Sequence, residues 1–254
     1  MKMGFLGTAW AVSTSSRDNT SLFLTTEKTA VLIDCSGNVW GKLLKMGFDP
    51  LKLESIFITH GHVDHVYGLP SLLEMMRLSG RKNPMKIHVG KDFRDRIERL
   101  LDLFEIEKHA DSFRVDLLPL EYEETAITIG DLSIGTFPVK HTVKNLALKF
   151  ATENKSVVYS SDTAFFEPLA DFAKGCDVLV HEATMSTALG DNYREGHSTP
   201  SDAARIAERA GVKRLFLVHV GYSVAKQPEK AIEEAKKHFR GEVFIPHDLD
   251  VYEI

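Results

Sequence analysis

Cysteine is nearly absent from this 254-residue sequence, and Cys35 and Cys176 stand far apart, outside any metal-binding spacing. A disulfide framework and a thiolate-held metal are thereby excluded, and a reducing cytoplasm is the expected setting for two plain core thiols. A basic excess is missing too. With 31 Lys and Arg against 36 Asp and Glu, the formal net charge is -5, which gives no bulk electrostatic footprint for nucleic acid. No apolar run approaches the roughly 20 residues of a membrane span. The early apolar stretch is broken by polar residues from Ser13 to Asn19, so neither a secretory signal nor a membrane segment is expected. Solenoid repeats, low-complexity tracts and linkers are also absent. What remains is 43% hydrophobic, enough for a large core, and one domain over residues 1–254 is expected.

Short β-rich runs fill the first third: Met3 to Leu6, Ser21 to Thr25, Ala30 to Ile33 and Ser55 to Thr59, each bounded by turn residues. The period then becomes helical over Leu69 to Leu78 and Phe93 to Phe104, with a strand from Met85 to Val89 between them. A second strand block follows at Ile127 to Ile129, Leu132 to Val139, Leu146 to Ala151, Ser156 to Tyr159 and Val178 to Val180. Helix Ser201 to Ala210, strand Arg214 to Val218, helix Pro228 to Phe239 and strands Glu242 to Ile245 and Val251 to Ile254 complete the chain. Pro200 sits near the first turn of the Ser201 helix, with Ser198, Thr199 or Ser201 as its cap. Two successive strand-then-helix blocks predict an α/β fold, a four-layer αββα sandwich of two mixed sheets with helices outside.

The most informative segment is Thr59-His60-Gly61-His62-Val63-Asp64-His65, directly after an apolar strand. In an extended turn His60 and His62 point to one side, while Asp64 and His65 diverge as the chain enters a helix. One turn therefore serves two neighbouring cations. Four potential ligands in six positions are costly to desolvate together without cations to share. Imidazole and carboxylate donors suit zinc, with manganese or iron as substitutes. These residues alone do not close two sites, and His141, Asp162 and His219 each follow an apolar run where a sheet would deliver a further ligand. Asp162, with two oxygens, can bridge both ions. His88, His109, His238 and His247 read as ordinary structural or surface histidines.

The ordered set of Asp34, His60-x-His62-x-Asp64-His65, His141, Asp162 and His219 resembles the motif series of the metallo-β-lactamase superfamily. Phe5-Leu6-Gly7-Thr8, Ile33-Asp34-Cys35, Ser161-Asp162-Thr163, His181-Glu182-Ala183-Thr184 and His197-Ser198-Thr199 are similar to its ribonuclease Z-like branch. That resemblance implies a dinuclear hydrolase in which His60, His62 and His141 hold one metal, Asp64, His65 and His219 the other, and Asp162 bridges. It makes Asp34 an orienting partner of a ligand histidine and His197 the general acid. Asp64 counts among the catalytic residues as well as the ligands. Glu182 is a supporting candidate, and His181 could serve the metals, the proton path or neither.

Ribonuclease Z itself carries a tRNA-gripping arm between the equivalents of His141 and Asp162. This chain has room there only for a hairpin. A phosphodiesterase acting on small or short substrates (a cyclic nucleotide, a nucleotide diester, an oligonucleotide) is therefore the first expectation. Ribonuclease Z-type cleavage of tRNA 3′ ends is the alternative, disfavoured here, and lactone or thioester hydrolysis is a further one. A redox or purely binding role is weighed against by His62, where redox relatives tend to carry Glu. Lys140 and Lys144 are candidate phosphate contacts. The Phe165-Phe166 pair and the Val66 to Met76 helix could serve a homodimer, although core packing explains them better.

Overall fold

The computed structural model describes residues 1–122, 126–192 and 194–254. Tyr193, within the polar stretch expected from Gly190 to Pro200, lies outside the described residues. The first half runs β1 (Lys2–Gly7), β2 (Ser21–Thr25), β3 (Ala30–Ile33), α1 (Val39–Lys45), β4 (Ser55–Ile58), α2 (Leu69–Leu78), β5 (Met85–Gly90), α3 (Arg94–Leu103) and β6 (Val115–Leu120). In the second half come β7 (Ala126–Ile129), β8 (Leu132–Val139), β9 (Asn145–Ala151), β10 (Ser156–Tyr159), α4 (Pro168–Phe172) and β11 (Val178–Glu182). These lead to α5 (Pro200–Ala210), β12 (Arg214–Val218), α6 (Tyr222–Lys226), α7 (Pro228–Lys236), β13 (Glu242–Phe244) and β14 (Val251–Glu253).

The strands form two seven-stranded mixed sheets, ordered β14-β1-β2-β3-β4-β5-β6 and β13-β12-β11-β10-β9-β8-β7. Strands β3 to β6 pair in parallel, as do β10 to β13, and the remaining pairs are antiparallel. The expected αββα sandwich is what the chain adopts. Side-chain alternation sorts the core into layers. In β4, Phe57 faces the other sheet, while Ile56 and Ile58 pack toward the helices. Such central strands are buried on both faces, which is why they read as unbroken apolar runs.

Phe57 stacks on His88 at 4.5 Å and meets Phe150 edge-on at 5.8 Å. Burial pushes the His88 imidazole down to about 4, so this histidine serves the core as a neutral ring. Phe57→Ala is expected to destabilise the fold by about 3–5 kcal/mol through loss of apolar burial and the cavity left behind. Urea unfolding of the purified protein measures it.

Helix α5 opens with Thr199 as its cap: Thr199 Oγ1 accepts from Asp202 N at 3.1 Å and Asp202 Oδ2 accepts from Thr199 N at 3.1 Å. Four elements go beyond the sequence expectation. Helices α1, α4 and α6 span only 7, 5 and 5 residues, too short for a helical period to declare itself. Strand β6 contains Pro119, which argues against a central strand, and the chain tolerates it because β6 lies at a sheet edge.

Candidate metal centre

The chemistry-bearing residues collect where strands end. Asp34 follows β3, His60 follows β4, Asp162 follows β10, Glu182 ends β11 and His219 follows β12. These are the carboxyl ends of parallel strands, the edge at which open α/β sheets bind ligands. Strand β8 brings His141 to the same edge, because its two antiparallel steps to β10 restore the direction. At three of these ends the backbone turns through the left-handed region on a residue other than glycine, at Asp34 (φ 57°), Ser161 (φ 54°) and His219 (φ 52°). Local strain of this kind persists where the surrounding structure over-determines a site.

His60 Nε2 and His141 Nε2 each lie 3.1 Å from His62 Nδ1. Asp162 Oδ2 stands 3.7 Å from His60 Nε2 and 3.9 Å from His141 Nε2 on one side. On the other it is 3.4 Å from His65 Nε2 and 3.2 Å from His219 Nε2. Asp64 Oδ2 closes that second group, 3.5 Å from His65 Nε2 and 3.4 Å from His219 Nε2. A tetrahedral cation with bonds of about 2.0–2.1 Å holds its ligand atoms roughly 3.3 Å apart. The donor set fits such ions, since among the described residues its groups contain imidazole and carboxylate donors alone. Two buried atoms within it, His65 Nε2 and Asp162 Oδ1, have no hydrogen-bond partner among the described residues.

Each inward-facing nitrogen of four rings is fixed from behind. His65 Nδ1 donates to Asp34 Oδ2 at 2.7 Å, His141 Nδ1 to the Gly196 carbonyl at 2.8 Å and His219 Nδ1 to Thr184 Oγ1 at 2.8 Å. His60 Nδ1 meets Thr59 Oγ1 at 3.1 Å, and that hydroxyl donates in turn to Asp34. Such contacts set the ring tautomer and orientation. Asp34 therefore steadies both halves of the HxHxDH turn. Thr59, Thr184 and Gly196 belong to this scaffold although no sequence signal assigned them a role, because a hydroxyl or carbonyl behind a ring leaves no spacing of its own.

Burial holds the His60, His62 and His141 imidazoles below their ordinary range, keeping lone pairs available for a cation. For His65, burial opposes protonation, but Asp162 and Asp34 outweigh it and create a field that favours positive charge at that ring. Asp162 is likewise disfavoured as an anion by burial, yet the surrounding imidazoles, His219 and His65 first, hold its carboxyl well below the usual range.

His197 stands beside this cluster, its ring 5.1 Å from His141 and 5.4 Å from His219. Its Nδ1 donates to Glu182 Oε1 at 2.8 Å, and Nε2 has no hydrogen-bond partner among the described residues. The Glu182 carboxylate is itself held by the backbone N–H groups of Thr163 and Thr184, each at 3.0 Å. Burial lowers the His197 pKa, but the Glu182 hydrogen bond and charge overcome it and raise the group above its ordinary value.

All seven expected ligands thus converge, with Asp34, Glu182 and His197 in contact with them or beside them. His181 does not. It projects from the opposite face of β11, with Nδ1 on the Glu182 carbonyl at 2.8 Å. Lys144 pairs with Asp92 at 2.7 Å and lies over the Tyr122 ring, while Lys140 is an exposed side chain next to His141. Phe165 is exposed, and Phe166 packs into the core near Phe137.

Gly196 has φ 79°, and a Cβ built there would lie 2.8 Å from His141 Nδ1. Gly196→Ala is therefore expected to displace the His141 ring and weaken binding at the His60–His62–His141 group by about 10- to 100-fold. A competitive zinc-chelator titration measures the change.

Residues 29–220 match the sequence pattern of the Beta-lactamase superfamily domain. Ribonuclease Z of Natronomonas pharaonis is 28% identical over 307 aligned positions, covering 100% of this chain and 98% of that protein. The metallo-beta-lactamase fold protein YhfI from Bacillus subtilis superimposes with a TM-score of 0.85 at 22% identity, over 99% of this chain and 98% of that one. The short form of human tRNase Z does so at 0.81 and 24% identity, over 100% and 99%. At those identities the two structures attest the fold. The chain belongs to the beta-lactamase superfamily, as a ribonuclease Z-like, metal-dependent hydrolase.

Proposed function

We propose that the chain is a dinuclear phosphodiester hydrolase of the ribonuclease Z type, with two zinc ions and an RNA strand as substrate. The observation that carries this reading is the position of Asp162 Oδ2 between two histidine groups, with the His197–Glu182 pair alongside. His60, His62 and His141 would hold one ion, Asp64, His65 and His219 the other, and Asp162 would bridge. When bound, such ions supply a Lewis acid for a phosphate oxygen and a water acidified from about 15.7 toward about 7. His197, with Nδ1 anchored on Glu182, offers the proton at Nε2 that a departing ribose alkoxide needs.

Small diesters come first on the sequence alone, but the named relatives favour RNA and reverse that order. One observation still supports the small-substrate reading. The 307-position alignment against 254 residues leaves roughly fifty positions of the Natronomonas pharaonis relative without a counterpart. The β9–β10 connection is only the turn Thr152 to Lys155, closed by Thr152 N donating to the Lys155 carbonyl at 2.8 Å.

Activity on 3′-extended tRNA, an unstructured oligoribonucleotide, bis(p-nitrophenyl) phosphate and a lactone panel separates the readings. The expected result is RNA cleavage that a chelator abolishes and zinc or manganese restores. Turnover of the lactones alone would overturn the proposal. Cleavage of the synthetic diester and the short strand, with 3′-extended tRNA untouched, would establish the small-substrate reading instead.

A further inference from the structure

Two segments distant in sequence meet at one rim of the metal centre. Trp10, in the loop after β1, donates its backbone N–H to the Val220 carbonyl at 3.2 Å, one residue beyond His219. Arg194 precedes His197, whose backbone N–H it accepts at 3.3 Å. The Arg194 guanidinium lies over the Trp10 ring, 4.4 Å from its centroid. Both members are thus tied by backbone hydrogen bonds to residues at or next to the site. The Trp10 carbonyl is further fixed by Asn19 Nδ2 at 2.5 Å.

Arg194 is exposed, so the outer face of its guanidinium is open. No carboxylate among the described residues lies within ion-pair distance of it, whereas Lys144, Arg77 and Arg94 elsewhere all have acidic partners. A second aromatic–cation pair follows His219 closely in the chain: Tyr222, three positions on and 65% exposed, carries Lys226 Nζ 5.5 Å from its ring centroid. Lys226 likewise has no acidic partner within ion-pair distance among the described residues. Uncommitted positive charge beside aromatic faces is the combination that holds single-stranded nucleic acid. Bases stack on rings or guanidinium planes while the cations meet phosphates.

We infer that the Trp10–Arg194 stack, continued by Tyr222 and Lys226, is a binding site for a single RNA strand leading away from the metal centre. The inference rests on the proposed RNA substrate and adds where the strand runs. It also gives an otherwise acidic protein a local means of holding a polyanion. Arg194 supplies a flat plane for a base and N–H groups for a phosphate, which lysine cannot combine.

The test is fluorescence anisotropy of the full-length, metal-loaded protein with fluorescein-labelled octauridylate whose phosphorothioate linkages resist hydrolysis. Trp10→Ala and Arg194→Ala are each expected to weaken binding by about tenfold, in line with the loss of one stacking contact. Trp10→Phe should recover most of the affinity, and Arg194→Lys only part of it. Lys213→Ala, at the far end of β12 from His219, should bind as wild type, and thermal melting verifies that each variant is folded. Wild-type-like binding by both alanine variants overturns the inference. So does failure of the wild type to bind, equal weakening by Lys213→Ala, or displacement of the strand by an equal concentration of oligoglutamate. RNA cleavage with stack-independent binding would refute this site and leave the functional proposal standing. Stack-dependent binding without RNA cleavage would do the reverse.

Discussion

Asp162→Asn is expected to abolish hydrolysis, with a fall in kcat beyond about 100-fold, the range in which even partners behind a ligand act, and to lower the metal content of the purified protein. The substitution keeps the size of the side chain and one carbonyl oxygen, so it isolates the effect of charge. The wild-type carboxylate is fully enclosed, and one oxygen lies within 3.9 Å of four ring nitrogens drawn from both halves of the molecule. An amide could not neutralise two bound cations there, and its N–H₂ would face lone pairs or metal if rotated. Plasma emission spectroscopy should report less than the wild-type metal content, while circular dichroism should show the sheets intact. Full metal occupancy with unimpaired turnover would remove Asp162 from the bridging position.

His197→Ala should have the next largest effect, and its size should depend on the substrate. For an RNA strand the departing ribose oxygen requires a proton, so kcat is expected to drop by about 10²- to 10⁴-fold. For bis(p-nitrophenyl) phosphate, whose leaving group is a stable phenolate, the loss should be confined to a few fold. The pH profile offers a second readout. Glu182 favours the protonated imidazole, so the acid is present at low pH and disappears as pH rises through its elevated pKa. An alkaline limb in wild-type RNA cleavage should therefore vanish in the variant. Equal losses on both substrates would instead make His197 a structural support.

How far the site could be read in advance depended on distance along the chain. The HxHxDH turn declares itself because four candidate ligands sit within six positions. His141, Asp162 and His219 were legible as polar residues closing apolar strands, which is where a sheet edge places them. The roles of Thr184, Thr59 and Gly196 were not. Thr184 meets His219 across the β11–β12 pair, and the Gly196 carbonyl meets His141 through a loop contact that only folding creates. The sandwich followed from the alternation of strand and helix blocks, whereas α1, α4 and α6 were too brief to register. Trp10 and Arg194 lie far apart in the sequence, and no local pattern joins them.

The division of the candidate ligands between the sheets has a mechanical consequence. One half of the chain would contribute His60, His62, Asp64 and His65, and the other His141, Asp162 and His219, so neither half alone would own a complete coordination shell. Bound cations would act as clasps across the seam, making separation of the two layers and escape of the ions a single event. The protein's durability and its capacity for chemistry would then be forfeited together.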